Sequence, residues 1–288
     1  MNQNIRLVAL DMDGTLLNHE GQISVTDQTA IKEITAQGIE VVISTGRPYT
    51  GLPAELLCSL GVHYAITANG AGVYTLPDKT CLHASCMQPE LLYPILKELQ
   101  KKDIHIDAFV HGDRYGLQSN YAKIDTLAMP QSLRDYIRNS GTLFEDLAAL
   151  IWENRLEVEK MTLNFYPLAD GSFKDRESVI SLLAQHPEVT FLSGGYHNLE
   201  FTKTGTTKGM GLRFLCEHLG ISLSQTMACG DTQNDIDILQ TAAIGVAMGN
   251  ADREVQELAD YVTLTNEECG VAAAIHRFIG SIQSPDSI

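Results

Sequence analysis

Ile5-Arg6-Leu7-Val8-Ala9-Leu10-Asp11-Met12-Asp13-Gly14-Thr15 runs from an apolar stretch into two acids, a glycine and a threonine. Residues 5–10 have the length and aliphatic content of a buried strand, and Gly14 supplies the turn that ends it. Outward from this stretch the same alternation recurs. Residues 26–37 read as a helix with Thr26 as N-cap and Gly38 at its end, Glu40–Ser44 as a second strand, 53–60 as a helix closed by Gly61, and Tyr64–Thr67 as a third strand. The far end repeats the pattern: helices over 207–219, 234–240, 251–258 and 270–279, strands over 226–229, 243–247 and 261–264, then a polar tail, 281–288. Strands alternating with helices of this length specify βαβ units and a parallel sheet.

Between the two ends the rhythm changes. Residues 90–101 read as a helix. Residues 105–110 and 114–117 flank His111-Gly112-Asp113 as a hairpin, and a helical stretch follows to Asp125. Residues 160–166 alternate, 175–185 are helical, and 189–192 with 199–202 flank Gly194-Gly195 as a second hairpin. Adjacent strands joined by short turns imply an antiparallel sheet with helices. The fold class is therefore α/β: a discontinuous parallel-sheet core over 1–83 and 204–288, with an α+β module inserted at 84–203. The charge distribution agrees. The two ends are poor in Lys and Arg, with 4 against 8 acids and 4 against 11, whereas the middle is mixed, with 12 against 17.

The length of 288 residues suits about two domains. The formal net charge of −16 excludes the diffuse cationic field of nucleic-acid and anionic-membrane binders. No run approaches the ~20 apolar residues of a membrane span, and the apolar run at the N-terminus is too short for a signal peptide. The six cysteines show no C-x-x-C spacing. A cytoplasmic protein with reduced thiols is expected. A monomer and a small homo-oligomer both remain open.

Four short motifs carry chemistry. Asp11 and Asp13 sit at a strand end, where open α/β sheets bind ligands; two close carboxylates need a cation or a shared proton. An acidic turn without chemistry is the competing reading. Ser44-Thr45-Gly46-Arg47 follows the second strand with a hydroxyl, a glycine that permits close backbone approach, and a fixed cation, which suits an anionic ligand; a plain strand-to-helix turn with a surface arginine competes. Thr206-Thr207-Lys208-Gly209 opens a helix with a lysine where the helix dipole disfavours a cation, so either the lysine is a tolerated surface residue or an anionic cluster lies nearby. In Gly230-Asp231-Thr232-Gln233-Asn234-Asp235, helix capping explains one acid but not Asp231, Asn234 and Asp235 together. P-loop and nucleophile-elbow patterns are missing.

In combination these motifs resemble the haloacid dehalogenase (HAD) superfamily, in its Cof-type branch (subfamily IIB) and nearest its YidA-like sugar phosphatases. Asn69-Gly70-Ala71 and the stretch from Gly245 to Ala251 match as well, while Cys269 stands where the branch often has Asp. The resemblance implies a HAD-like Rossmannoid core with an inserted cap that confers substrate specificity. It implies an Mg²⁺-dependent phosphatase of small phosphorylated metabolites, sugar phosphates above all. Asp11 would be the nucleophile, forming an aspartyl-phosphate, and Asp13 the acid and base. Mg²⁺ would be held by Asp11, Asp13 and Asp231, with Asp235 supporting. The Met12 and Gly46 amides, Thr45, Arg47, Lys208 and Asn234 would bind phosphate or substrate. A phosphomutase, a phosphatase of phosphorylated cofactors or nucleotides, and a non-catalytic ligand-binding module are the alternatives. In the cap, the turns at 111–114 and 194–197 are the candidate substrate contacts.

Overall fold

The computed structural model describes residues 4–194 and 197–280; the tail at 281–288 and Gly195 and Tyr196 of the second expected hairpin lie outside them. The chain opens with β1 (Leu7–Leu10), α1 (Val25–Ala36), β2 (Glu40–Ser44), α2 (Ala54–Ser59), β3 (Tyr64–Thr67), β4 (Gly72–Thr75) and β5 (Cys81–Ala84). There follow α3 (Pro89–Leu99), β6 (His105–Val110), β7 (Asp113–Leu117), α4 (Gln118–Tyr121), α5 (Gln131–Asn139), β8 (Thr142–Phe144), α6 (Leu147–Glu153), β9 (Lys160–Asn164), α7 (Arg176–Leu183), β10 (Val189–Leu192) and β11 (Leu199–Lys203). The last stretch holds α8 (Lys208–Leu219), β12 (Thr226–Gly230), α9 (Ile236–Thr241), β13 (Ile244–Ala247), α10 (Arg253–Leu258), β14 (Tyr261–Val262) and α11 (Gly270–Phe278). Two compact units result. The first runs through Gly46, resumes over Pro53–His83 and again from Thr207; the second holds Arg47–Leu52 and Ala84–Thr206.

The first unit is built on an eight-stranded sheet in the order β14-β13-β12-β1-β2-β3-β4-β5. The β1, β12 and β13 strands are buried along their whole length, as aliphatic strands of a parallel sheet covered on both faces must be. Leu7, Ala9, Val42, Ile66 and Ala228 of the sheet pack with Leu212 and Leu215 of α8 and Ile238 and Leu239 of α9. The sequence reading stops at β3; β4 then pairs with it antiparallel, extending the sheet. The first helix begins at Val25, one residue before the expected N-cap, because the Ser24 hydroxyl takes the capping bond from the Asp27 amide at 3.0 Å. The strand order matters most for the site. With β1 between β2 and β12, the connections leave its two sides in opposite directions, which opens a crevice at the carboxyl ends.

The second unit carries a six-stranded sheet in the order β10-β11-β9-β6-β7-β8. It is antiparallel, as expected from the short turns, except that β8 pairs parallel with β7. Alternation along each strand sends Ile106, Ala108, Met161, Leu163 and Phe201 to one face, where they pack with Leu92, Ile95 and Leu96 of α3, Ile151 of α6 and Val179 and Leu183 of α7. The residues between them, His105, Asp107, Lys160 and Asn164, are polar yet also buried. The turn between β6 and β7 is two residues, His111 and Gly112, both at positive φ (50° and 75°), the geometry that matches strand twist. Among the described residues, no helix is long and apolar enough to cross a membrane.

Candidate active site

Asp11 leaves β1 and Asp231 leaves β12, and the register that pairs Leu10 with Cys229 brings the two acids out side by side. The glycine of the first motif makes this possible. Gly14 has a φ of +83°, and a Cβ there would collide with the Asp231 carboxylate, so only glycine lets the β1 turn pass beneath that acid. Thr15 then donates its hydroxyl to Asp231 Oδ1 at 2.9 Å. The third acid, Asp235, comes from the turn before α9. Asp11, Asp231 and Asp235 are all buried, and each offers a carboxylate oxygen within 4.8 Å of the others.

Lys208, the first residue of α8, enters this group from above β3. It is fully buried, and its Nζ donates to Asp11 Oδ1 and Asp235 Oδ1, both at 2.6 Å. The lysine that breaks the helix-dipole rule is therefore held by two carboxylates. Thr207 caps α8 by accepting from the Met210 amide at 3.1 Å, and its hydroxyl donates to Asp237 at 2.5 Å. Gly70 (φ +98°) lies against this helix start; a Cβ there would strike the Thr207 carbonyl. The helix N-terminus can approach β3 only because residue 70 has no side chain.

The electrostatics are unbalanced. Burial opposes the charge on Lys208, but Asp11 and Asp235 outweigh it and raise its pKa, so the ammonium stays charged. Burial pushes the Asp11 carboxyl well above its ordinary value; Lys208 pulls it down, and the two neighbouring acids push it further up. Asp231 is pushed up to about 7, first by burial and then by the Asp235 charge, with Asp13 adding to it. One ammonium cannot neutralise three carboxylates, so the group must either retain a proton or take a cation.

The donor set fits a hard divalent cation such as Mg²⁺. All ligating atoms are carboxylate oxygens, the preferred partners of that ion. The three acids are not equivalent, however. Asp235 spends Oδ1 on Lys208 and Oδ2 on the Asp231 and Thr232 amides, at 3.0 and 3.1 Å. Asp11 and Asp231 instead each show one oxygen engaged, Asp11 Oδ1 by Lys208 and Asp231 Oδ1 by Thr15. The capping alternative for the fourth motif is thus half right: Asp235 and Thr232 form a capping box, and the same Asp235 also holds the lysine.

The remaining sequence candidates fall into two groups. Thr45 is buried at the end of β2; its amide donates to Ile66 O at 2.8 Å and its carbonyl accepts from the Asn69 amide at 3.1 Å. Asn69 Oδ1 accepts from Asn234 Nδ2 at 3.1 Å, so Asn69 ties the second motif to the fourth. Met12 is fully buried and its carbonyl accepts from Leu16 and Leu17, which forms the turn carrying Asp13. Asp13 itself is exposed and lies outside the three-carboxylate group. Arg47 belongs to the second unit, as the structure divides, although Gly46 belongs to the first. In the 111–114 turn, Arg114 is corrected from substrate contact to structural residue. It is 2% exposed and donates through Nη1 to Asp107 Oδ1 at 2.6 Å. Sequence reasoning assigned no role to Thr15 or Asp237. Thr15 was legible as the last letter of the first motif, while nothing local marks Asp237.

The profile of the haloacid dehalogenase-like hydrolase family matches residues 8–275. Phosphatase YwpJ of Bacillus subtilis (strain 168) is 31% identical over 280 residues, covering 93% of this chain and 98% of that protein. The 5-amino-6-(5-phospho-D-ribitylamino)uracil phosphatase YcsE of the same organism is 32% identical, covering 96% of each. Among solved structures, the HAD subclass IIB sugar phosphatase BT4131 superposes with a TM-score of 0.76 at 26% identity, over 96% of this chain and 100% of that one.

Proposed function

The chain belongs to the haloacid dehalogenase-like hydrolases and is a phosphatase of that family; from that premise we propose that it hydrolyses small phosphorylated metabolites, with sugar and polyol phosphates foremost, using Mg²⁺. The observation that carries this reading is the Lys208 ammonium shared between Asp11 and Asp235 at 2.6 Å, beside Asp231 and beyond the end of β1. The relatives support the substrate class: a sugar phosphatase and a phosphatase of a ribitylamino compound both act on a phosphate borne by a polyhydroxylated chain. The second relative also keeps phosphorylated cofactor precursors in view.

Asp11 attacks phosphorus with a carboxylate oxygen. An aspartyl-phosphate P–O bond forms, and the P–O bond to the leaving alcohol breaks. Asp13 gives its proton to that alcohol, then takes a proton from the water that attacks the phosphorus and frees Asp11. Dividing one displacement into two steps lowers each barrier. The Met12 and Gly46 amides, Thr45 and Asn234 hold the phosphoryl oxygens, and Lys208 keeps Asp11 aligned while offsetting their charge. Arg47 binds the substrate. Asp11, Asp231 and the Asp13 carbonyl, with Asp235 behind them, would hold Mg²⁺, which when bound would supply the charge that lets a carboxylate meet a phosphate dianion. Residues 84–203 serve as the cap that reads the leaving group, with 1–83 and 204–288 as the catalytic core. The test is hydrolysis of p-nitrophenyl phosphate: activity with Mg²⁺, loss with EDTA and loss in Asp11→Asn are expected, and full activity in Asp11→Asn would refute the nucleophile.

A further inference from the structure

The segment Arg47–Leu52 follows Thr45 and Gly46 without a break, yet it is built into the second unit. Thr50 donates through its amide and its hydroxyl to Gly112 O, at 3.0 and 3.2 Å. Arg47 donates through Nη1 to Gly51 O at 3.1 Å, and its guanidinium carbon lies 5.8 Å from the centre of the Tyr136 ring. A guanidinium within ~6 Å of an aromatic face is attracted by the ring quadrupole. Tyr136 rides on α5, and α5 is pinned at its end. Besides its bond to Asp107, Arg114 donates through Nη2 to the Ile137 and Ser140 carbonyls and through Nε to Ser140 Oγ at 3.2 Å. A cation on the last carbonyls of a helix satisfies acceptors that have no partner within it. A continuous chain of contacts therefore leads from Asp107 through Arg114 and the end of α5 to Tyr136 and Arg47.

We infer that Tyr136 is a positioning residue for substrate binding: its ring fixes the direction of the Arg47 guanidinium, and Arg114 fixes the helix that presents the ring. The inference rests on Arg47 binding the phosphate ester, as proposed above. Tyr136 touches no reacting atom, so its effect lies in KM and passes through Arg47.

The experiment measures kcat and KM for p-nitrophenyl phosphate with Mg²⁺ in the full-length wild type, Tyr136→Phe, Tyr136→Leu, Arg47→Ala and the Arg47→Ala/Tyr136→Leu double variant. Tyr136→Leu is expected to raise KM about two- to fivefold with little change in kcat, the scale of one cation–π contact. Tyr136→Phe keeps the ring and is expected to keep the wild-type KM. On the Arg47→Ala background, Tyr136→Leu should add nothing. Gly51→Ala offers a second route should Tyr136→Leu fail to fold: a Cβ there would come within 2.6 Å of Tyr136 Oη, displacing the ring, and should raise KM in the same direction. An unchanged KM in Tyr136→Leu, equal damage from Phe and Leu, or KM increases that multiply in the double variant would overturn the inference. Failure of the underlying reading looks different: a wild type inactive with Mg²⁺ rejects the phosphatase, and an unchanged KM in Arg47→Ala rejects Arg47 as a substrate ligand.

Discussion

Lys208 brings one positive charge to Asp11, Asp231 and Asp235, and that shortfall governs how the site responds to pH and to metal. Asp231, lifted to about 7 by burial and by Asp235, binds its proton more tightly in the folded protein than in the unfolded chain. Between its ordinary value of 3.8 and about 7 the native state therefore holds the extra proton, and stability is lost as pH rises through that window. In EDTA, Asp231→Asn should gain in Tm relative to the wild type on going from about pH 5 to about pH 8, and added Mg²⁺ should raise the wild-type Tm more at the higher pH. A relative gain for Asp231→Asn at the lower pH would contradict the assignment. Asp13→Asn should slow alkyl phosphates by roughly 10²–10⁴-fold, the range of a general acid. It should slow nitrophenyl phosphate far less, because that leaving group departs without a proton; equal losses on both would remove Asp13 from the role. At this scale the acids and the lysine were legible because each stands beside a strand or helix end. The Asp235 bond to Lys208 and the Arg114 bonds to the Ile137 and Ser140 carbonyls join residues 27, 23 and 26 positions apart and leave no local mark.

The placement of α8 against β3 shows how elements build the site. Gly70 permits the contact, and a Cβ there meets backbone, which cannot rotate away. Gly70→Ala should cost about 1–3 kcal/mol from the left-handed backbone alone. It should also reduce turnover, by shifting the helix that carries Lys208. Urea denaturation and kcat measure the two effects, and unchanged values for both would show that the close approach is not required. The parallel strands were legible because burial on both faces demands continuous aliphatic runs such as Leu7-Val8-Ala9-Leu10. By contrast, α5 was not. Its apolar residues, Leu133 and Ile137, are too few to mark a buried face, and the helix end is held by the Arg114 bonds from β7. Tertiary bonds of that kind override local signals.

Across the whole molecule, three of the 36 acids behind the net charge of −16 converge on one buried group. The chain divides into two compact units at His83–Ala84 and at Thr206–Thr207. The exception is Arg47–Leu52, which lies in core sequence but packs with the second unit through Gly112 and Tyr136. With Mg²⁺ supplied, a panel of phosphorylated metabolites should show turnover of small sugar or polyol phosphates and none of phosphorylated polymers, which the acidic surface repels. The central claim, that Asp11 takes the phosphoryl group, is tested most directly by acid quenching during turnover followed by peptide mass spectrometry. The account predicts a phosphoryl group on the peptide containing Asp11, absent from Asp11→Asn. A phosphoryl group on another peptide, or a turnover-competent Asp11→Asn enzyme, would contradict it.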